Sequence, residues 1–354
     1  MNVTIAIETV LNGLVAPWAV AFAPDGRVFI TERPGRIRAW RAGEPQAKVW
    51  LTLPVLAREE AGLLGLALDP DFTRTHFVYV AYTYQAGGGA IRNRLVRLVD
   101  DSAANAGSVD RTLIDDAPGS MFHDGGRVRF GPDGKLYWTL GVADEVLNHA
   151  QDSAALDGKV LRINADGSIP ADNPFPGSPV WSIGHRNPQG LAWQPCSGRL
   201  YETEHGPSAT PRSSPPLSLC CRDELNFIEL GKNYGWPLIT GDEQRDGLVT
   251  ALRNAGTTMT WAPSGATFVT SGPWAGSLLF TGLAGQSLYR VALDGSDLPA
   301  VASFETHLRG ALGRLRDVVE GPDGALYVLT NNRDGRGRPT ADDDRLVRLV
   351  VTPR

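Results

Sequence analysis

A histidine on a glycine-rich segment is the residue of this 354-residue chain best suited to acid–base chemistry. The segment, residues 122–127, reads FHDGGR, and its glycines allow a ligand to approach the backbone closely. An imidazole titrates near neutral pH, as a general base should. His123 is therefore the candidate base, although it could instead only hydrogen-bond a neighbouring turn. His205 is less well placed in the sequence for this role.

Two other segments carry guanidinium groups that could hold an anionic or carbonyl-rich ligand. The turn at residues 184–190 reads GHRNPQG and places Arg186 beside the amide of Asn187. Arg314 and Arg316 are two residues apart, so an extended segment would point both to the same face. Two convergent guanidinium groups suit a ligand with several carboxylates or a phosphate. The alternative is that both segments pair with nearby carbonyls or acids.

A turn later in the chain could hold a hard cation. The backbone carbonyls of Gly206 and Pro207 are possible oxygen ligands, and the carboxylates of Asp223 and Glu224 follow in the sequence. Ca²⁺ prefers oxygen ligands of these kinds. Acidic turns are also common in proteins that bind no metal.

A repeated unit predicts the fold that must position these residues. Each copy has a short apolar strand, a turn usually of the Pro-Asp-Gly type, and a second apolar strand. Most copies are followed by a third strand of alternating charged and apolar residues, as expected for an outer strand with one solvated face. The copies occupy residues 18–31, 64–81, 126–139, 190–203 and 316–330, with a divergent one at 266–281.

Six copies predict an all-β fold, a six-bladed β-propeller of four-stranded antiparallel blades. The propeller would occupy residues 1–354 as a single domain. The opening strand, within residues 1–11, would join the last blade and close the ring.

In a propeller, the loops before the first strand of each blade converge at one end of the central channel. Glu60, His123, Arg186 and Arg314 all precede a first repeated strand, although they are far apart in sequence. We therefore expect these polar groups to meet at one site.

Composition and charge exclude several functional classes. The net charge is −5 and no basic cluster is present, which argues against nucleic acid or anionic lipid as a partner. No apolar run is long enough for a membrane span, and the N-terminus shows no signal-peptide pattern. Cys196 could form a disulfide with Cys220 or Cys221, or all three could be free thiols.

Seven stretches together resemble the soluble PQQ-dependent sugar dehydrogenases, which include glucose dehydrogenases and aldose sugar dehydrogenases. The resemblance implies a six-bladed propeller, in agreement with the repeats. It also implies oxidation of an aldose at C1 to the lactone, with pyrroloquinoline quinone (PQQ) and Ca²⁺ as cofactors and transfer of electrons to an acceptor. The stretches cover nearly the whole chain in family order and lie at residues 62–72, 123–141, 157–175, 184–193, 204–207, 223–237 and 314–330.

The resemblance also implies roles for individual residues. His123 stands at the position of the base that takes the proton of the anomeric hydroxyl. Arg186 and Asn187 match the residues that contact the quinone oxygens, and the charge of Arg186 would stabilise a developing oxyanion. Arg314 and Arg316 match the pair near the cofactor carboxylates.

Partners and location follow from the same resemblance. Gly206 and Pro207 match the carbonyls that ligate the cofactor calcium. The expected partner is a small sugar, the chain would be a monomer or homodimer, and the family usually works in the periplasm or outside the cell.

Three positions depart from the family pattern. Glu60 replaces a glutamine that contacts the cofactor, and a carboxylate would repel an anionic quinone unless Ca²⁺ or an arginine compensates. Ala284 replaces a cofactor-binding lysine of the glucose dehydrogenases. Residues 208–222 form an insertion rich in Pro and Ser, which could be a substrate-side lid, a disordered loop or an error in the sequence.

Two other functions are compatible with these residues. A calcium-dependent lactonase-type hydrolase would have the same fold, but its channel would need several carboxylate and Asn ligands. A sugar- or protein-binding propeller without cofactor is the other possibility, and the changes at Glu60 and Ala284 favour it.

Overall fold

Six four-stranded antiparallel sheets make up the computed structural model, which describes residues 3–143, 147–207 and 220–354. The predicted six-bladed propeller is thus confirmed. The last blade begins the chain with β1 (Val3–Leu11) and ends it with β22 (Leu315–Glu320), β23 (Leu326–Thr330) and β24 (Leu346–Pro353). Residues 208–219 of the predicted insertion lie outside the described residues.

The other five blades follow one another along the chain. Blade 1 contains β2 (Pro17–Phe22), β3 (Arg27–Glu32), β4 (Arg36–Arg41) and β5 (Lys48–Thr52). Blade 2 contains β6 (Leu63–Leu68), β7 (Phe77–Gln85), β8 (Ile91–Asp101) and β9 (Ala106–Pro118). Blade 3 contains β10 (Val128–Phe130), β11 (Leu136–Leu140), β12 (Lys159–Ile163) and β13 (Val180–Ile183). Blade 4 contains β14 (Pro188–Trp193), β15 (Leu200–Glu204), β16 (Glu224–Ile228) and β17 (Arg253–Asn254). Blade 5 contains β18 (Pro263–Phe268), β19 (Leu278–Gly282), β20 (Ser287–Leu293) and β21 (Val301–His307).

The first strand of the chain closes the ring. β1 pairs antiparallel with β24, and Ile5 lies opposite Val351. Because the two termini share one blade, the N-terminal strand covers an edge that would otherwise expose unpaired backbone groups. The prediction that the opening segment completes the last blade is confirmed.

The Pro-Asp-Gly sequences form the same turn in three blades. In the first blade, the Gly26 amide donates to the Ala23 carbonyl at 3.0 Å, and Asp25 Oδ1 accepts the Arg27 amide at 3.0 Å. Gly26 adopts a φ of +85°, which favours glycine. The carboxylate holds the turn and thereby sets the register of the hairpin.

One of the third strands, β12, is more buried than the sequence indicates. In β12, all five residues are buried, whereas β1, the outermost strand of its blade, is exposed or half-buried at every position except the last. Leu161 and Val160 of β12 belong to two different hydrophobic clusters. The expectation of a solvated face was therefore wrong for β12, which packs against cores on both faces. In β4 the predicted alternation is present, since half-buried Arg36 and Arg38 alternate with buried residues.

A buried ion pair links the innermost strands across the central channel. Arg127 Nη1 lies 3.1 Å from Asp317 Oδ2, and both side chains are fully buried. Arg127 Nε also donates to the Gln189 carbonyl at 2.7 Å, and Asp317 Oδ2 accepts the Val20 amide at 3.2 Å. The pair therefore connects the first strands of four blades.

Replacement of Asp317 by asparagine should lower the free energy of unfolding by about 3–5 kcal/mol, because it leaves the Arg127 guanidinium buried without its counterion. Chemical denaturation measures this change. Asp323→Asn is the matched control, since it removes an ion pair with Arg348 at the surface of the same blade, where less than about 1 kcal/mol is expected. Equal losses in the two variants would contradict a stabilising role for the buried pair.

The cysteines pair differently from both predicted options, a bridge from Cys196 and three free thiols. Cys220 and Cys221 form a disulfide with each other, and Cys196 is exposed and free. The prediction of a bridge from Cys196 was wrong, because Cys196 lies on the turn after β14 whereas Cys221 lies near the opposite end of that blade. In the described part of the chain, the one α-helix is the four-residue α1 (Phe72–Thr75), and no helix is long and apolar enough to cross a membrane.

Candidate active site

A cavity of about 340 Å³ lies at the end of the channel where the loops before the first strands converge. The structure brings Glu60, His123, Arg314 and Arg316 to this cavity. Arg186 and Asn187, which the sequence also predicts for the site, are not among the residues that line it. Further lining residues include Trp18, Arg33, Gln189, His205, Pro207, Asp223, Ala284, Asp334 and Arg336.

His123 is held as a neutral imidazole with one nitrogen available as an acceptor. Its Nε2 lies 3.2 Å from Arg186 Nη2, and because a guanidinium can only donate, Nε2 must be unprotonated in this contact. Burial lowers the pKa of His123, and the charge of Arg186 lowers it further, to about 3. The backbone amide of His123 donates to Glu60 Oε2 at 3.2 Å and fixes the segment. His123 is therefore unprotonated at neutral pH, the form in which a side chain can accept a proton.

Arg186 is positioned by contacts on three sides. Its backbone amide donates to Glu204 Oε2 at 2.6 Å, and its Nη1 donates to the His205 carbonyl at 3.3 Å. The guanidinium also lies 5.3 Å from the centre of the Trp236 ring, within the range of a cation–π contact. These contacts aim Nη2 at His123 and place a fixed positive charge beside the candidate base.

Asn187 joins this turn to the glycine-rich segment that carries His123. Its Oδ1 accepts the Gly125 amide at 3.0 Å, whereas its buried Nδ2 has no hydrogen-bond partner within the described ranges. The two segments meet over Gly141, where an added Cβ would lie 2.2 Å from the His123 carbonyl oxygen. Only glycine therefore allows this close approach.

Two guanidinium groups in the cavity have no carboxylate partner among the described residues. Arg314 is paired, since its Nη2 lies 2.8 Å from Asp334 Oδ2. Arg316 donates instead to a neutral group, Gln189 Oε1, at 2.8 Å, and Arg33 also forms no ion pair. Burial lowers the pKa of both unpaired guanidinium groups, in Arg316 to about 9. An anionic ligand would complement these two groups.

Glu60 is neutralised by an arginine from a distant part of the chain. Arg336 Nη1 lies 2.6 Å from Glu60 Oε1, and the two residues are 276 positions apart. Burial acts to raise the pKa of Glu60, but the charges of His123 and Arg336 lower it to about 2. Because His123 is neutral above about pH 3, Arg336 provides the compensation at neutral pH. An arginine thus offsets the carboxylate that departs from the family pattern.

Among the titratable residues of the cavity, sequence reasoning missed four that share one position in their blades. They follow the second strand of a blade, whereas the predicted set precedes the first strand, and the two kinds of loop lie at the same end of an antiparallel blade. That topological rule is the signal that could have found them. The missed residues are Arg33, His205, Asp334 and Arg336.

The predicted calcium residues divide into two groups. Pro207 lines the cavity, and Asp223 Oδ1 holds the adjacent turn by accepting the Gly206 amide at 2.9 Å. Glu224 is not among the residues that line the cavity. The second oxygen of Asp223 accepts hydrogen bonds from Thr260, Trp261 and Ala262.

This chain is similar to known sugar dehydrogenases. The family model described as glucose/sorbosone dehydrogenase matches residues 14–348. An aldose sugar dehydrogenase of Escherichia coli K12 is 33% identical over 357 residues, which cover 94% of this chain and 91% of the relative. The quinoprotein glucose dehydrogenase B of Acinetobacter calcoaceticus is 32% identical over 278 residues, 70% of this chain and 55% of the relative. A solved structure of the PQQ-bound form of aldose sugar dehydrogenase from Streptomyces coelicolor has a TM-score of 0.87 at 35% identity and covers 99% of this chain and 98% of that chain.

Proposed function

The chain belongs to the glucose/sorbosone dehydrogenase family, and we propose that it oxidises an aldose at C1 to the lactone with PQQ and Ca²⁺ as cofactors. The observation that carries this proposal is the neutral His123 beside a cavity with two unpaired guanidinium groups. Export to the periplasm, which the family resemblance implies, is part of the same proposal.

The residues of the cavity fit a planar anionic quinone. PQQ carries three carboxylates, and Arg33 and Arg316 offer guanidinium groups that form no ion pair with a carboxylate of the described chain. His205, which lines the cavity, has a buried Nε2 without a hydrogen-bond partner among the described residues. The same holds for Nδ2 of Asn187, which is not itself a lining residue. A volume of about 340 Å³ is within the range of small-molecule pockets.

The proposed calcium ligands are the backbone carbonyls of Gly206 and Pro207. Carbonyl oxygens commonly coordinate Ca²⁺, and Pro207 lies at the cavity wall. We assign Asp223 to the positioning of this turn, because its two oxygens already accept hydrogen bonds from Gly206 and the loop before β18.

The chain's own residues supply the proton transfer and the charge stabilisation. When bound, PQQ would supply a quinone that can accept a hydride, the C1 hydrogen of the sugar together with two electrons. His123 Nε2, which is unprotonated in the structure, would accept the proton of the anomeric hydroxyl. The Arg186 guanidinium would then stabilise negative charge that develops beside it.

One observation favours a binding propeller that has lost the cofactor. Arg314 and Arg336 are each paired with a carboxylate of the cavity itself, Asp334 and Glu60, so two of the four cavity arginines need no ligand. The hydrolase alternative has less support, because these two carboxylates are engaged by arginine and Asp223 by backbone amides.

Reconstitution tests the three functions together. Cofactor-free protein is mixed with PQQ and Ca²⁺ and assayed with a panel of aldoses for reduction of an artificial dye. We expect a shift of the PQQ absorbance and aldose-dependent dye reduction. Absence of both would contradict the proposal and favour a binding protein, and hydrolysis of lactones without PQQ would favour a hydrolase.

Replacement of Glu60 by glutamine should tighten PQQ binding by roughly tenfold, or about 1.4 kcal/mol. Glutamine removes a negative charge from the cavity and releases Arg336, while its oxygen can still accept the His123 amide. Titration of the protein with PQQ gives the dissociation constant. Glu59→Gln, at the exposed neighbour, is the matched control, and an unchanged or weaker affinity of Glu60→Gln would refute this role of Arg336.

A further inference from the structure

Three buried carboxylates form a cluster directly behind the Arg186–Asn187 turn. Glu202, Glu204 and Glu224 lie on β15 and β16, and their exposed fractions are 0%, 3% and 9%. We call them the acidic cluster. It forms no ion pair with a lysine or arginine of the described chain, and the nearest titratable base is His185, whose Nδ1 lies 3.3 Å from Glu204 Oε1. Burial of several carboxylates without a cation is costly.

The hydrogen bonds within the acidic cluster leave acceptors without donors. Asn226 Nδ2 contacts one oxygen of each carboxylate, at 3.2, 3.1 and 3.2 Å, but an amide nitrogen has only two hydrogens to donate. Glu202 Oε1 and Asn226 Oδ1 are buried and have no hydrogen-bond partner among the described residues. Both of these atoms are acceptors, so a cation would satisfy them and an anion would not.

The distances within the cluster suit a metal ion. One ligand atom each from His185, Glu202 and Glu204 lies within 4.8 Å of the others. Opposite ligands of a calcium ion are roughly 4.6–5.2 Å apart, since each bond measures about 2.3–2.6 Å. The ring of His185 is fixed by a hydrogen bond of 2.8 Å between Nε2 and Ser182 Oγ, which leaves Nδ1 facing the cluster.

We propose that the acidic cluster binds a divalent cation through His185, Glu202 and Glu204, with Glu224 and the amide of Asn226 beside it. Carboxylate oxygens favour Ca²⁺ or Mn²⁺, and the imidazole nitrogen favours Mn²⁺ of these two. The site is separate from the proposed cofactor calcium, because neither Glu202 nor Glu204 lines the cavity.

The cation would fix the turn that carries Arg186. Glu204 Oε1 faces the cluster, and its other oxygen, Oε2, accepts the amides of Arg186 and Asn187 at 2.6 and 3.4 Å. A metal bound to Oε1 would therefore hold the carboxylate in the orientation that positions this turn. His185 and Glu204 are positioning residues in this respect.

Metal binding by the full chain without PQQ tests the proposal. Protein treated with EDTA is titrated separately with Mn²⁺, Ca²⁺ and Zn²⁺, and binding is measured by calorimetry and by the Tm. We expect one tightly bound ion per chain and a rise in Tm of roughly 5 °C at a hundred times Kd. Glu202→Gln should weaken binding at least about 100-fold, whereas Glu229→Gln, at an exposed position of the same blade, should bind like the wild type.

The main competing arrangement is a cluster neutralised by protons. Burial raises the pKa of Glu202 well above its usual range, and burial together with Glu204 raises the pKa of Glu224 to about 8. If protons occupied the cluster, Glu202→Gln would be at least as stable as the metal-free wild type. The proposal would be overturned if the wild-type protein bound no cation tightly. This outcome is decisive even if the variant does not fold. Equal binding by a folded Glu202→Gln variant would also overturn it.

Discussion

Replacement of His123 by alanine should lower kcat for aldose oxidation by about 10²–10⁴-fold, the usual contribution of a general base. Its Nε2 is the unprotonated imidazole nitrogen that faces Arg186 at the cavity. Affinity for PQQ should change little, because the guanidinium groups of the cavity remain. Dye-linked kinetics at saturating PQQ, together with a PQQ titration, separate the two effects.

The pH dependence should carry the signature of the lowered pKa of His123. Since that pKa is about 3, kcat/KM should show no loss from protonation of His123 as the pH falls from 8 to 5. In the unfolded chain the same imidazole has an ordinary pKa of about 6.5, so it binds a proton there first. His123 should therefore reduce stability progressively as the pH falls from about 6.5 towards 3.

A histidine outside the cavity provides the control for both effects. His307 lies on β21, the outermost strand of its blade, and pairs with Glu305 at 3.0 Å. His307→Ala should keep the wild-type kcat. Full activity of His123→Ala would contradict the account of the base. So would a loss of kcat/KM in the wild type as the pH falls through about 6.5, if that loss were absent from His123→Ala.

Replacement of Arg316 by alanine should weaken PQQ binding by about 10²-fold. A hydrogen bond to a charged group contributes about 1.5–3 kcal/mol, and the buried Arg316 forms no ion pair with a carboxylate of the described chain. The variant should recover most of its kcat at high PQQ, because His123 and Arg186 remain in place. Equilibrium titration with PQQ measures the affinity, and kinetics at saturation measure the recovery.

The matched control for Arg316 is an arginine that the cavity does not include. Arg309 is exposed on the loop after β21, and Arg309→Ala should leave PQQ affinity unchanged. A PQQ affinity of Arg316→Ala within threefold of the wild type would show that this guanidinium does not hold the cofactor.

The hairpins were predictable because their determinants are local. Asp25 and Gly26 form their turn through hydrogen bonds within five residues, and the same pattern recurs in the third and last blades. Closure of the ring by β1 was predictable because an apolar alternating segment at the N-terminus needs a partner strand. The burial of β12 on both faces was not predictable, because it depends on how neighbouring blades pack.

The partners of the site residues were harder to predict than the site residues themselves. His123 and Arg316 stand at a position that recurs in every repeat, so the repeat alone places them at the cavity. The pairing of Glu60 with Arg336 depends on a loop of the last blade that reaches the second blade across the cavity. No local pattern encodes that contact. Glu202 and Asn226 likewise meet only because β15 and β16 are neighbours in the sheet.

A single turnover without an electron acceptor tests the proposed function most directly. Protein loaded with PQQ and Ca²⁺ is mixed with an excess of aldose in the absence of oxygen and dye, while the absorbance of the bound quinone is followed. We expect one sugar oxidised to its lactone per chain, together with reduction of the bound quinone, and both should slow by about 10²–10⁴-fold in His123→Ala. An unchanged quinone spectrum in a protein shown to hold PQQ, with every aldose tested, would contradict the account.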